Sequence, residues 1–372
     1  MRLFLTLFLL LPLLSRAQSR LEPVRWPDLP AQDVGPHLGV AGAYSGVSHG
    51  ALLLAGGANF PRGYPWEGGN KVWQADIYLL DRPQGTWRLV GRLPRPQGYG
   101  ASVSWNNRVL CVGGNDAQRR YAEVLALRWD AATARLLTDS LPSLPKPLAN
   151  LAAAVADDKL YVFGGESDQG AESTLYVLDL QKPQKGWQKR AALPAPARAY
   201  TALVAQTGPR GPALYVLGGR QTVADHTTLF ADAYEYQIRR NRWRALPPLN
   251  RGLSAHGAVA HGPHTVLVVG GDDGERLLQI EALNNQLKTR PPGTEADRLT
   301  SERNALQAEH PGFRREVWAY HTLRRTWSLV GTLPIKVPVT TPLVPWEEGF
   351  LLPSGEVAPG VRTPAVWQVV VN

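Results

Sequence analysis

A diglycine that closes a short apolar strand recurs along the chain: LLLAGG ending at Gly57, VLCVGG at Gly114, LYVFGG at Gly165, LYVLGG at Gly219 and VLVVGG at Gly271. Successive spacings are 57, 51, 54 and 52 residues. A fixed period of this size means one supersecondary unit repeated, each burying its apolar faces against its neighbours. Downstream of most diglycines comes a further strand, such as ADIYLLD, STLYVLDL or DAYEYQI. A tryptophan and a Leu-Pro break follow it, after Trp87, Trp187, Trp243 and Trp327, while the second unit has Trp129 and a later Leu141-Pro142. Each unit therefore reads as four short strands ending in a proline-marked crossover. The diglycine marks a sharp turn beside a central channel, where a Cβ would clash or forbid the backbone angles.

The pattern resembles the kelch repeat, whose unit is one blade of a β-propeller. A sixth turn is the degenerate Ser354-Gly355 in LLPSGE. Its unit has strands at residues 340–345, 350–353 and 365–371, and no Trp…Leu-Pro strand after them. The missing strand stands at the other end of the sequence, in LEPVRWPDLP with Trp26 and Leu29-Pro30. The expectation is an all-β, six-bladed kelch propeller closed by pairing of the N- and C-terminal strands in one blade, which leaves no free sheet edge.

The distance from Gly271 to Gly355 is longer than the period because of an insertion over about 274–312, within the fifth blade. Leu277, Ile280, Leu283 and Leu287 fall at helical spacing, and Thr294 with Asp297 marks a second helix start, followed by Ala296, Leu299 and Leu306. The spacing predicts a two-helix hairpin over one face of the ring. Its readings are a lid or homodimer contact, or a decoration with its own apolar seam.

The first residues carry an export pattern: Arg2, an apolar run from Leu3 to Leu14, and small residues before a cut after Ala17. The run is shorter than the roughly 20 residues that span a bilayer. The sequence reading is thus a signal peptide over 1–17, no membrane anchor, and a single propeller domain over 18–372. A bacterial periplasm is the expected compartment, with full secretion as the alternative. Cys111 is the only cysteine, so no intrachain disulfide forms and the thiol reads as a buried small hydrophobe. The formal net charge of +9 is spread over scattered arginines with no long basic run, which argues against a nucleic-acid platform.

Propellers bind ligands where loops converge at the channel mouth, and the fold itself names no function. The first post-diglycine loop, ANFPRGYPWEGGNKVW, offers Asn59, Trp66 and Lys71; the last offers Glu356 and Arg362. By themselves, an acid and an arginine in one loop are often a surface ion pair of little consequence. The stretch SGEVAPGVRTPAV, however, resembles the NGE-x-x-PGxRTxAV loop of the N-acetylneuraminate epimerases, or sialic acid mutarotases. GGANFP, YGASVSWNN with Tyr99, the arginine of PARAYTALV (Arg198) and the histidine of LSAHGAV (His256) agree with it as well. The order of blades looks cyclically permuted relative to the enterobacterial form. Ser354 stands where Asn is more frequent, and Gln97 where an arginine is common.

The resemblance implies a cofactor-independent isomerase with no metal, acting on N-acetylneuraminate. Glu356 and Arg362 are its implied catalytic residues. Arg198, Asn59, Trp66, Lys71, Tyr99 and His256 are the implied substrate-binding residues. Anomer exchange needs a proton taken from the anomeric hydroxyl and one delivered to the ring oxygen, work suited to a carboxylate. An arginine can pair with the substrate carboxylate or stabilise a developing oxyanion. Two other readings remain open on the sequence. One is a non-catalytic propeller that holds glycan or protein. The other is a galactose-oxidase-like copper enzyme, against which stands the placement of Cys111 within a strand.

Overall fold

The computed structural model describes residues 21–31 and 37–372. Within these, six four-stranded antiparallel sheets stand as blades. The innermost strands of blades one to five are Tyr44–Ser48, Ala101–Trp105, Ala152–Ala156, Ala202–Gly208 and Gly257–His261. The sixth blade runs from Val344–Trp346 through Gly349–Ala358 and Val361–Val371 to Leu21–Trp26, which supplies its outermost strand. The expected closure is therefore observed, with Leu21 opposite Val371 and Trp26 opposite Val366. The segment read as a signal peptide lies outside the described residues.

The Trp…Leu-Pro motif has a physical role in joining blades. The indole N–H of Trp87 donates to the carbonyl of Pro27 (2.9 Å), that of Trp187 to Pro142 (2.8 Å), that of Trp243 to Ala191 (2.7 Å) and that of Trp327 to Pro247 (2.9 Å). Each bond ties an outer strand to the preceding blade. The crossover leucine is pinned by its own N–H, which bonds a carbonyl at the start of the third strand: Leu29 to Pro364, Leu93 to Ala75, Leu144 to Ala122, Leu193 to Ser173, Leu249 to Ala231 and Leu333 to Arg315. This repeated bond corrects two positions of the sequence reading. In the second blade the structural break is Leu144-Pro145 rather than Leu141-Pro142, and in the fourth it is Leu249 rather than Leu246.

At the head of each innermost strand sits a residue in the left-handed region, at φ between +52° and +70°: Gly42, Tyr99, Asn150, Tyr200, Ala255 and Thr340. Their peptides form a closed circle of hydrogen bonds around the channel. Tyr99 donates to Gly42, Asn150 to Tyr99, Tyr200 to Asn150, Ala255 to Tyr200, Thr340 to Ala255 and Gly42 to Thr340, at 2.6–3.3 Å. Beyond this circle the innermost strands enclose a channel of about 330 Å³ walled mainly by alanine, serine and valine.

The insertion forms two helices, α1 (Glu275–Lys288) and α2 (Thr294–Ala308), packed as a hairpin. Ile280, Leu283 and Leu299 fill its seam. Gly293, not Thr294, takes the N-cap position, and Thr294 begins the helix. Helix α1 leans on the hairpin of the fourth blade, where Glu281 accepts from the N–H of Thr227 (2.9 Å) and Lys288 pairs with Asp225 (2.7 Å). Helix α2 reaches the first blade, where the Asn304 side chain donates to the carbonyl of Trp66 (3.1 Å). The hairpin thus stands against loops at the channel mouth.

Candidate functional site

The diglycine turn places one residue of every blade at an equivalent position beside the channel. Ala58, Asn115, Glu166, Arg220, Asp272 and Glu356 each follow a turn, and each forms an isolated antiparallel bridge. Their partners are Ala41, Gly98, Ala149, Ala199, Ser254 and Val339. Every partner immediately precedes a residue of the hydrogen-bonded circle. Five of the six bridged side chains are polar or charged, so the mouth is lined by a polar crown above a channel of small residues.

Glu356 and Arg362 meet at this crown. The sequence reading placed them in a loop, whereas the second and third strands of the sixth blade continue upward and make them cross-strand partners. Glu356 Oε1 accepts from Arg362 Nη1 at 2.8 Å and from the N–H of Gly360 at 2.7 Å. Its Oε2 has no hydrogen bond among the described residues. The Arg362 side chain is 3% exposed and that of Glu356 17%. Arg362 also donates to the Tyr99 hydroxyl (3.2 Å) and to the carbonyl of Ala58 (3.4 Å), and its guanidinium lies over the Phe60 ring at 4.8 Å. Arg362 is thereby a fixed bracket for the carboxylate, with little of its fork left open.

Around this pair the structure gathers three of the sequence-predicted residues. Tyr99 stands in the circle itself, and burial pushes its hydroxyl pKa up to about 12, with Arg362 opposing and Glu356 adding to the shift. The Lys71 ammonium lies 5.0 Å from the Tyr99 ring centre and 5.6 Å from that of Trp73. Loss of hydration in the crowded mouth lowers its pKa, Arg362 adds to this, and Glu356 opposes it. Trp66 stacks on Tyr64 at 4.7 Å while its carbonyl receives the bond from helix α2.

Three predicted residues are placed elsewhere. Arg198 is fully buried; its guanidinium pairs with Asp232, bonds the carbonyls of Pro196 and Gly218, and lies over the Phe230 ring at 4.4 Å. A charge so enclosed must be neutralised locally, and it is a structural bracket rather than a substrate contact. Asn59 is 2% exposed and spends its amide on the carbonyl of Gly39 and on Gln74. His256 packs against Gly218 and Gly271, and burial lowers its pKa to about 4. It stands in the channel wall. Cys111 lies in a blade core at 2% exposure with its thiol pKa pushed up by burial.

Other crown members escaped the sequence reading. Arg220 stacks on the Tyr200 ring at 4.0 Å and has no carboxylate partner among the described residues. Glu166 Oε2 accepts from the Asn150 side chain at 2.8 Å. Asp272 Oδ1 accepts from the N–H of Gly274 at 2.8 Å. Each is the residue directly after a diglycine, the repeat position that Glu356 occupies, and that position is the sequence signal that marks them. Among the described residues no group of three or more His, Cys, Asp or Glu side chains is placed to hold a metal ion. None of the described helices is long and apolar enough to cross a membrane.

The sequence profile of the N-acetylneuraminate epimerase family matches residues 15–136 and 141–372. The N-acetylneuraminate epimerase of Haemophilus influenzae (strain PittEE) is 42% identical over 120 residues, covering 29% of this chain and 32% of that protein. The protein of the same name from Salmonella enteritidis PT4 (strain P125109) is 44% identical over 89 residues, 22% of this chain and 23% of that protein. The aligned segments thus span about a third or less of these curated relatives. The solved structure of YjhT matches 93% of this chain and 99% of its own with a TM-score of 0.63 at 15% identity, a likeness of fold.

Proposed function

The chain belongs to the N-acetylneuraminate epimerase family, and from that premise we propose that it interconverts the α and β anomers of N-acetylneuraminate by acid/base opening and closure of the sugar ring. The observation that carries the reading is the Glu356–Arg362 pair, held by strand register at the channel mouth. Glu356 has one oxygen fixed by Arg362 and Gly360 and the other without a hydrogen bond among the described residues. A carboxylate so oriented can take the proton of the anomeric hydroxyl through Oε2 without first reorganising, and general base catalysis of this kind contributes about 10²–10⁴-fold.

Arg362 acts in this scheme by orientation, since its donors are spent on Glu356, Tyr99 and Ala58. The substrate carboxylate then falls to cations at the mouth that lack a carboxylate partner among the described residues, Arg220 and Lys71. Arg220 is held by its stack on Tyr200, and a guanidinium fork suits a planar carboxylate. Tyr99, Tyr200 and Trp66 supply aromatic surface for the sugar. These residues need no organic cofactor for the proton transfers described. Export to the periplasm rests on the charged, apolar and small-residue pattern of residues 1–17.

The test is proton NMR of freshly released α-N-acetylneuraminate, with the native protein, with Glu356→Gln and without protein. Acceleration over the uncatalysed rate that is lost in the variant supports the assignment. A folded native protein that leaves the rate at the blank overturns it in favour of a non-catalytic glycan-binding ring.

A further inference from the structure

Ring opening needs two proton transfers at two different oxygens, and Glu356 alone supplies one carboxylate. The crown places a second carboxylate at the repeat position equivalent to Glu356, in the adjacent blade. Asp272 follows its diglycine as Glu356 follows Ser354-Gly355, and its bridge to Ser254 matches that of Glu356 to Val339. Two carboxyl groups are thus brought to neighbouring positions on one rim by the propeller's own repeat. The residues beside them divide sharply in role. Asp273 is consumed by salt bridges to Arg251 and Arg314, whereas Asp272 has no cationic partner within ion-pair distance among the described residues. Among the described residues its only side-chain hydrogen bond holds Oδ1 to the N–H of Gly274, where the insertion begins.

We propose that Asp272 is the proton partner of Glu356 in the anomer exchange, protonating the ring oxygen while Glu356 deprotonates the anomeric hydroxyl. This rests on the reading of the site given above. The steps balance. The anomeric O–H proton passes to Glu356 as the anomeric carbon becomes a carbonyl. The bond from that carbon to the ring oxygen breaks, and the ring oxygen takes the proton of Asp272. Rotation of the open keto acid presents the other carbonyl face. The hydroxyl then attacks while returning its proton to Asp272, and the carbonyl oxygen recovers the proton held by Glu356. No oxidant, reductant or co-reactant enters.

The electrostatics agree with the geometry. The charges acting on Asp272 come from Arg220 of the fourth blade, Glu356 of the sixth and Asp273 of its own turn, and His310 experiences those of Arg276, Glu356 and Asp273. Burial raises the pKa of Asp272, the bond from Gly274 and the charge of Arg220 oppose this, and Asp273 and Glu356 reinforce it. Burial thus favours the proton-bearing form of Asp272 relative to an ordinary carboxyl, the direction that an acid partner requires.

The experiment is the pH–rate profile of anomer exchange, corrected for the uncatalysed reaction, for the native protein, Asp272→Asn and Glu356→Gln. Asparagine keeps an oxygen for the Gly274 N–H and removes the titrating proton. The expected result is a bell-shaped native profile. Asp272→Asn should lower kcat about 10- to 100-fold with little change in KM and abolish the alkaline limb. Native kcat with an intact alkaline limb in Asp272→Asn overturns the proposal alone. A native protein that does not exceed the blank overturns both this proposal and the epimerase reading. If Asp272→Asn does not fold, the native profile decides: a rate that stays level on the alkaline side overturns the assignment.

Discussion

Glu356 and Arg362 face one another across two antiparallel strands, and their 2.8 Å contact is set by backbone register rather than by side-chain reach. One carboxylate oxygen is thereby fixed, and the guanidinium is held at the same time by Tyr99 and Ala58. Glu356→Gln preserves size and the acceptor oxygen but not the basicity, so kcat for anomer exchange should fall about 10²–10⁴-fold with the melting temperature little changed. NMR exchange rates and a thermal melt on the same preparation check both halves.

Arg362→Lys keeps the charge and loses the fork. An ammonium cannot bond Glu356, Tyr99 and the Ala58 carbonyl from one planar group. The expected outcome is a fall in kcat approaching that of Glu356→Gln, with no rescue by the conserved charge. Native-like kinetics for the lysine variant would show that charge alone suffices.

Arg220→Ala should act on binding. Its guanidinium has no carboxylate partner among the described residues, so truncation leaves no buried acid exposed, and KM for the anionic sugar should rise about tenfold or more. The same sugar as its methyl ester should be affected far less. Steady-state kinetics on acid and ester separate this from a general loss of folding.

Ser354 occupies the left-handed position that glycine holds in the other five blades, at φ +65°. Its hydroxyl compensates: Oγ accepts from the N–H of Val40 at 2.9 Å and lies within bonding distance of the carbonyls of Thr363 (2.7 Å) and Val40 (3.0 Å). Ser354→Ala retains the strain and leaves a buried N–H unpaired, at a cost of about 1–3 kcal/mol. Ser354→Gly relieves the strain and should cost roughly 1 kcal/mol less. Denaturant titration of the two variants gives the order.

Two buried histidines make stability fall on the acid side. Burial lowers the pKa of His37 and of His256 to about 4 from the ordinary value of 6.5. His37 Nδ1 accepts from the N–H of Gly39 at 2.8 Å, which requires that nitrogen to be unprotonated. In both cases the unfolded chain binds the proton more readily, so their stabilisation is present above pH 6.5 and is lost as pH falls toward 4. The full loss is roughly 3 kcal/mol per residue. The slope of unfolding free energy between pH 7 and 4.5 should shrink in His256→Asn.

The ring was legible because its markers are steric and therefore strict. Diglycines, crossover leucines and outer tryptophans each satisfy a backbone or packing demand repeated in every blade, and the missing outer strand of the last blade pointed to Leu21–Trp26. The site was half legible. Glu356, Arg362 and Tyr99 lay in a recognisable motif, while Arg220 and Asp272 stood at the same repeat position but in otherwise unremarkable loops. Arg198 and His256 stand apart from the Glu356–Arg362 pair, and a polar residue beside a crossover can serve the packing of the turn as well as a ligand. Only the burial of Arg198 against Asp232 distinguishes the two. That Glu356 and Arg362 sit on continuous strands was hidden by Pro359-Gly360, which reads as a loop and is in fact the tip of an extended hairpin.

The circle of six peptide bonds through Gly42, Tyr99, Asn150, Tyr200, Ala255 and Thr340 behaves as a hoop. A hoop resists opening at any one point because tension is shared by every link, and this one is seamless although the chain that makes it is linear. Tyr99 and Tyr200 are among its links, so the aromatic surfaces beside Glu356 and Arg220 are carried by a closed ring of peptide hydrogen bonds. The helical hairpin, by contrast, is tied to the mouth through side chains, Glu281 to Thr227, Lys288 to Asp225 and Asn304 to Trp66, so the spacing between the charged groups of the rim is set by the ring and not by the hairpin.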